Sequence, residues 1–194
     1  MISQDRLYRS FEVRADENEL RVEGYAVTFD TPAVMYEYDN VQFKEVIERN
    51  AFTQTQMEDV VMNFDHEGKP VARTKNGTLN LRVDDVGVFI SADLSGTEEG
   101  RRLYEEIKGG YIDKMSFAFT VGEESYNKED RTRHINSVKR LYDVAAVSRP
   151  AYDTTSIYAR SFFEAEAEKE LVEAREREKQ VKRFIFETET LMKL

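Results

Sequence analysis

The chain has 194 residues, 40% of them hydrophobic and 11% aromatic, which is enough to bury a real core in one domain with room for an appended segment. Its net charge of -10 argues against a phosphate-binding surface, and so against nucleic acid as a partner. The absence of cysteine excludes disulfides, thiolate metal sites and a thiol nucleophile, and no run of about 18 apolar residues is present to span a membrane. The N-terminal Met1-Ile-Ser-Gln-Asp-Arg-Leu7 lacks the apolar stretch of a signal peptide, so the chain is expected to act in the cytosol.

In chain order, residues 8–15 and 20–29 read as strands joined by a turn at Asp16-Glu-Asn18. In the second strand Gly24 and Ala26 make one face unusually small, as close packing of another element would require. Residues 33–56 mix aromatics with acids without a clean period, and are expected to be irregular with a helical turn near Ala51. A short strand over 60–64 runs into Asp65-His66-Glu67-Gly68-Lys69-Pro70, whose Gly68 and Pro70 predict a turn, so His66 sits at a strand end. Residues 71–73 and 78–83 continue the β pattern around an Asn76-Gly77 turn signal, and 87–94 make a further strand.

Ser95-Gly-Thr-Glu98 fits a capping box, predicting a helix that carries Leu103 and Ile107 on one face and stops at Gly109-Gly110. It leads into Lys114-Met-Ser-Phe-Ala-Phe-Thr120. There Met115, Phe117 and Phe119 alternate with Ser116, Ala118 and Thr120, giving one bulky face for a core and one small face open to approach. Residues 122–133 read as an exposed polar loop, and 135–147 as one or two strands with Leu141, Asp143, Ala145 and Val147 on a shared face. A carboxylate on such an apolar face needs a partner such as an imidazole N–H.

From Phe162 to Arg183 the composition turns to Glu, Lys, Arg and Ala, a long helix by propensity with favourable pairs Glu173–Arg177 and Glu178–Lys182. Ala167, Leu171, Ala174, Val181 and Ile185 form a short seam that Glu178 interrupts, which suits a weak coiled coil or docking helix as well as it suits a solvated tail. Residues 1–160 are therefore expected to form the main domain and 161–194 a charged helical appendage.

Serine-dependent peptide hydrolysis needs a nucleophile, a base and a group that orients the base, and Ser116, His66 and Asp143 can fill those roles. Taken singly, each has an ordinary structural explanation: a small residue under a packed element, a solvated turn histidine, a bonded core carboxylate. The only other histidine, His134, follows a charged loop and reads as a surface residue. Neighbouring Asp65, His66 and Glu67 cannot all point at one ion, which leaves no expected metal site or cofactor. There is no Gly-x-Ser-x-Gly elbow and no phosphate-binding glycine loop. A Ser116–Lys114 dyad is possible, but both side chains stand on one strand face without in-line geometry.

The serial order of Val22-Glu-Gly-Tyr-Ala-Val27, His66, Pro70-Val-Ala-Arg73, Gly100-Arg-Arg-Leu-Tyr-Glu-Glu-Ile-Lys-Gly-Gly110, Met115-Ser-Phe-Ala-Phe119, Leu141-Tyr-Asp-Val144 and Pro150-Ala-Tyr152 resembles the prohead (capsid maturation) proteases of tailed phages, the HK97-type family. The resemblance implies Ser116 as nucleophile and His66 as base, with Asp143 where that family usually has Glu. Ala118 and Ala72 stand where Gly is usual, and Arg149 where Phe is. The family is similar to herpesvirus assemblins, which implies an α+β, mainly β fold: a closed or partly open β-barrel surrounded by helices, here with a charged C-terminal helix. It further implies a serine protease acting inside the immature capsid in the host cytoplasm, on the scaffolding segment of the major capsid protein and on itself, and it makes Arg149 a candidate oxyanion donor. The alternative is a non-enzymatic β-barrel module that binds capsid or scaffold subunits through its acidic helix.

Overall fold

The computed structural model describes residues 7–15, 20–148 and 157–191. Alternation at period two governs the wall of the molecule. On Lys114–Asn127 (β9), Met115, Phe117 and Phe119 are fully buried, with the last two rings 4.9 Å apart. Burying each such side chain is worth roughly 1.5–3 kcal/mol. Thr132–Val147 (β10) pairs antiparallel with β9 and sets Ala146, Val144 and Leu141 opposite those three, so the core face runs continuously across both strands.

The rest of the sheet is built outward from this pair. Leu7–Ala15 (β1) lies on the other side of β9, followed by Arg21–Thr28 (β2), Gly87–Asp93 (β8) and Leu79–Val83 (β7), all antiparallel. Because β10 is long, its free edge takes two partners. Its first residues pair in parallel with Val41–Ile47 (β4), which forms a hairpin with Ala33–Tyr38 (β3); its last pair in parallel with Val61–Phe64 (β5), which forms a hairpin with Glu67–Arg73 (β6). The outer strands β6 and β7 meet through Thr78 Oγ1, which accepts from Arg73 N at 2.9 Å, but they share no ladder. The result is an α+β, mainly β fold with a partly open barrel.

Several local expectations are corrected. Residues 33–47 are the β3–β4 hairpin, turned by Asp39 and Asn40 at φ 51° and 62°; two left-handed non-glycine residues supply the turn without the usual glycine signal. The tight turn after β5 is Asp65-His66, and the Gly68 and Pro70 signal falls within β6, where three extra residues bulge between the Phe64–Glu67 and Met62–Ala72 pairs and Gly68 has φ 75°. Asn76-Gly77 ends a short 3-10 turn and does not join two paired strands. Residues 122–127 are strand, an exposed ribbon against β10, because backbone pairing holds them where no apolar alternation does. The expected turn at Asp16-Glu-Asn18 lies outside the described residues.

Glu98–Lys108 (α1) is capped by Thr97, whose Oγ1 accepts from Gly100 N at 2.9 Å; Ser95 instead donates its N–H to Asp93 Oδ1. Leu103, Tyr104 and Ile107 face inward, and α1 crosses β1 and β6. Gly100 is obligatory here, since a Cβ would come within 2.5 Å of Leu94 O.

Ile157–Leu191 (α2) is one helix with two environments. Phe163 is fully buried against Phe43 and Phe162, at ring distances of 5.8 and 5.3 Å, and Glu166 and Ala167 are buried beside it. Beneath Phe162 lies Arg133, fully buried, 5.0 Å from the ring and ion-paired to Glu45 and Glu124. Burial, together with the Glu170 and Glu166 carboxylates, pushes the Tyr126 phenol up to about 12. From Leu171 to Ile185 the helix is exposed, with Glu178–Lys182 paired at 2.6 Å as the sequence predicts. Phe163→Ala should therefore cost about 3–5 kcal/mol in denaturant unfolding, and Val181→Ala should stay within about 0.5 kcal/mol. Equal losses would show that α2 is held along its whole length.

Candidate active site

The outer face of the β9–β10–β5 wall is built from small residues. Ser116 stands opposite Ala145, and Ala145 opposite Asn63; one step along, Ala118 stands opposite Asp143, and Asp143 opposite Val61. Ala118 and Ala145 are fully buried, so two methyl groups form part of the floor beside Ser116.

The register of β10 brings Asp143 to this face. Arg140 pairs with Thr120 and Leu141 with Phe119, but the next pair is Asp143 with Ala118, leaving Tyr142 as an extra residue. Such a bulge flips the alternation. Leu141 therefore falls on the core side with Phe119, and Asp143 on the outer side with Ser116; the expected shared face of Leu141 and Asp143 is corrected. Thr120 Oγ1 donates to Tyr142 Oη at 3.0 Å and holds the extra residue on the outer side.

His66 arrives from the β5–β6 hairpin. Asp65 and His66 have φ of 46° and 61° between the paired Phe64 and Glu67, a two-residue turn of two left-handed residues that costs of order 1 kcal/mol each without glycine. The base of the hairpin is fixed where Arg73 Nε and Nη2 each donate to Asp59 at 2.6 Å, a fork that holds the Asp59 carboxyl below its usual range. Its tip is fixed where Asp65 N donates to Ala146 O, and where Ser148 N and Oγ both donate to the Asp65 carboxylate, each at 2.9 Å.

So placed, His66 Nδ1 lies 2.5 Å from Asp143 Oδ1, with side chains only 15% and 8% exposed. An ionised carboxylate can only accept, which puts the imidazole proton on Nδ1 and leaves Nε2 as a lone-pair acceptor. Nε2 is closed to solvent, as is Ser116 Oγ, which has no hydrogen-bond partner. The arrangement can hold the imidazole in one orientation on the face that also carries a buried hydroxyl.

The structure thus joins His66 to Asp143 and sets Ser116 on the adjacent strand of the same face, without a hydrogen bond from its hydroxyl. His134 is remote, on the β4 side of β10, with Nδ1 2.6 Å from Glu48 Oε1. Lys114 makes an ion pair with Asp113 at 3.7 Å. Arg149 lies outside the described residues. Asp65, His66 and Glu67 diverge, and among the described residues no three His, Asp or Glu side chains gather as metal ligands. Sequence reasoning missed Asp65 and Ser148, as well as Asn63, which is buried in the Ser116 row with its Oδ1 unsatisfied. For Asp65 the available signal was an Asp-His pair after a strand, since Asp tolerates the left-handed region.

Beyond the hairpin, Phe64, Val71 and Leu103 floor a cleft of about 490 Å³ between β5–β6 and α1, with a rim of mixed charge from Glu67, Glu99 and Glu106 and from Lys69 and Arg102, Lys69 being paired with Glu99 at 3.7 Å. No described helix is long and apolar enough to cross a membrane.

No curated protein and no solved structure matches the chain. A family model described as the caudovirus prohead serine protease matches residues 9–170, a span that includes Ser116, His66 and Asp143. Since that match takes in most of its length, the chain belongs to the caudovirus prohead serine protease family.

Proposed function

We propose that the protein is the serine endopeptidase that cleaves the scaffolding segment of the major capsid protein, and itself, inside the immature capsid in the host cytoplasm, with Ser116 as nucleophile, His66 as base and Asp143 as the group that orients it. The observation that carries this reading is the 2.5 Å contact between His66 Nδ1 and Asp143 Oδ1 on the small-residue face that holds Ser116. No other histidine of the chain lies on that face.

In this reading Ser116 Oγ attacks the scissile carbonyl carbon while its proton passes to His66 Nε2. Asp143 stabilises the imidazolium through the Nδ1 hydrogen bond and keeps the ring in place. The proton then goes to the leaving amine as the C–N bond breaks, giving an acyl-enzyme. Water, deprotonated by the same imidazole, attacks the ester and returns Ser116. Arg149, two residues past the end of β10, is the proposed donor to the oxyanion. Because Ser116 Oγ is closed to solvent, substrate must displace what covers it. The cleft beside the hairpin, with an apolar floor and a rim of mixed charge, suits apolar side chains flanking the cut.

The exposed half of α2 is proposed to recruit the protease to the assembling shell. It carries Leu171, Val172, Val181, Phe184 and Ile185, 43–71% exposed, on a helix whose first turns are already anchored by Phe163.

Ser116→Ala should fold normally and abolish self-shortening of the purified protein; continued processing would remove Ser116 from the mechanism and favour a contaminant or a non-enzymatic binding module. His66→Ala should lose nearly as much, and Asp143→Asn should lose less but still orders of magnitude in kcat. Activity should fall on acidification, because a protonated imidazole cannot accept the serine proton, and a flat profile between about pH 5 and 8 would count against His66. A chain truncated after Glu170 should still cleave a scaffold-derived peptide in solution but fail to enter particles. Loss of peptide cleavage with the fold retained would show that the distal helix completes the site.

A further inference from the structure

The hairpin that delivers His66 makes an unfavourable turn, and one residue of that turn has an arrangement of contacts that the backbone alone does not require. Asp65 sits at φ 46° immediately before His66 at φ 61°. Its N–H donates to Ala146 O, its Oδ1 accepts from Ser148 N, and its Oδ2 accepts from Ser148 Oγ, all at 2.9 Å. Ala146 and Ser148 lie at the end of β10, the strand that carries Asp143 three residues before Ala146. Both ends of the His66–Asp143 contact are therefore referenced to one short length of backbone. The hairpin is also held by the β5–β10 ladder, which ends at the Phe64–Ala146 pair, and by Arg73–Asp59 at its far end, neither of which engages the Asp65 side chain.

We propose that Asp65 is a positioning residue for His66: its carboxylate clamps the turn onto the end of β10, so that the imidazole is held against Asp143 in the register that catalysis needs. This inference rests on the reading of His66 as base. The clamp acts through position. Three hydrogen bonds to one residue hold two consecutive left-handed residues that would otherwise relax toward ordinary backbone geometry. A 1 Å displacement of a base typically costs about 10²-fold in rate.

The clamp and the turn are separable by substitution. Asp65→Gly accepts the positive φ without penalty but removes both acceptors, whereas Asp65→Asn tolerates the same backbone and keeps an oxygen for Ser148 N. The test uses the full-length protein and a scaffold-derived peptide, measuring kcat and KM separately and following the low-field proton resonance of His66 Nδ1–H by NMR. Asp65→Gly should lower kcat about 10–100-fold with KM nearly unchanged, and the resonance should broaden by exchange with water. Asp65→Asn should restore kcat to within a few-fold of the parent and recover the resonance. Ser148→Ala, on an exposed residue that puts folding at little risk, should lower kcat several-fold, and its combination with Asp65→Gly should be no worse than Asp65→Gly alone, because the two act as one unit.

Wild-type kcat and an unchanged resonance in Asp65→Gly would overturn the proposal, as would equal losses in the Gly and Asn variants or full additivity with Ser148→Ala. Failure of the underlying reading looks different: His66→Ala would then retain activity whatever Asp65 variants do.

Discussion

One extra residue in β10 decides which side of the barrel wall Asp143 faces. With strict alternation from Leu141, which packs opposite Phe119, position 143 would point into a core filled by Phe117, Phe119 and Val144. A carboxylate there would cost several kcal/mol in desolvation with no cation to meet it. Tyr142 takes up the register step, and the same strand then serves two purposes: its inward side chains close the core and its outward ones line a polar site. The outward face is also where bulk is lowest, so an imidazole can lie close to the sheet.

That register leaves a site assembled from three separate pieces of chain, each held by its own means. Ser116 is placed by the ladder between β9 and β10, between the fully buried Met115 and Phe117. Asp143 is placed by the bulge. His66 alone comes from a turn, and the structure uses polar contacts there instead of apolar ones: a guanidinium fork at the base of the hairpin and a carboxylate at its tip. Polar groups anchor α2 in a similar way, where the buried Arg133 is satisfied by two carboxylates and covered by the ring of Phe162 before the helix runs out into solvent.

Much of this was legible in the sequence because burial writes a period into it. β2, β5, β8 and the first half of β9 show apolar alternation, and α1 shows apolar residues four apart, ended by Gly109-Gly110. The elements that escaped notice are those without a clean apolar alternation. The ribbon of 122–127 is exposed apart from Tyr126, which packs on Phe162, and carries no apolar alternation, and both β3–β4 and β5–β6 turn on Asp, Asn or His pairs where a glycine would have announced the bend. The bulge at Tyr142 leaves no trace in composition, so Asp143 stands out in the sequence as a carboxylate in an apolar strand while its face is misassigned. Residue chemistry and motif order both point to Ser116, His66 and Asp143; the structure brings His66 and Asp143 together and sets Ser116 on their face, whereas the Asp65–Ser148 contact, spanning 83 positions of sequence, is visible only in the fold.

The parallel pairing of β5 with the end of β10 also bears on when the protein becomes competent during its own synthesis. Parallel contacts between strands so distant along the chain close large loops, and such contacts form late in folding because the entropy of closure is lost before they can offset it. The His66–Asp143 contact cannot exist until β10 has been made and laid beside β5, long after the hairpin bearing His66 has left the ribosome. On the proposed reading of that pair, a nascent chain lacks an oriented base over most of its translation. The topology itself provides a delay between making the polypeptide and arming it.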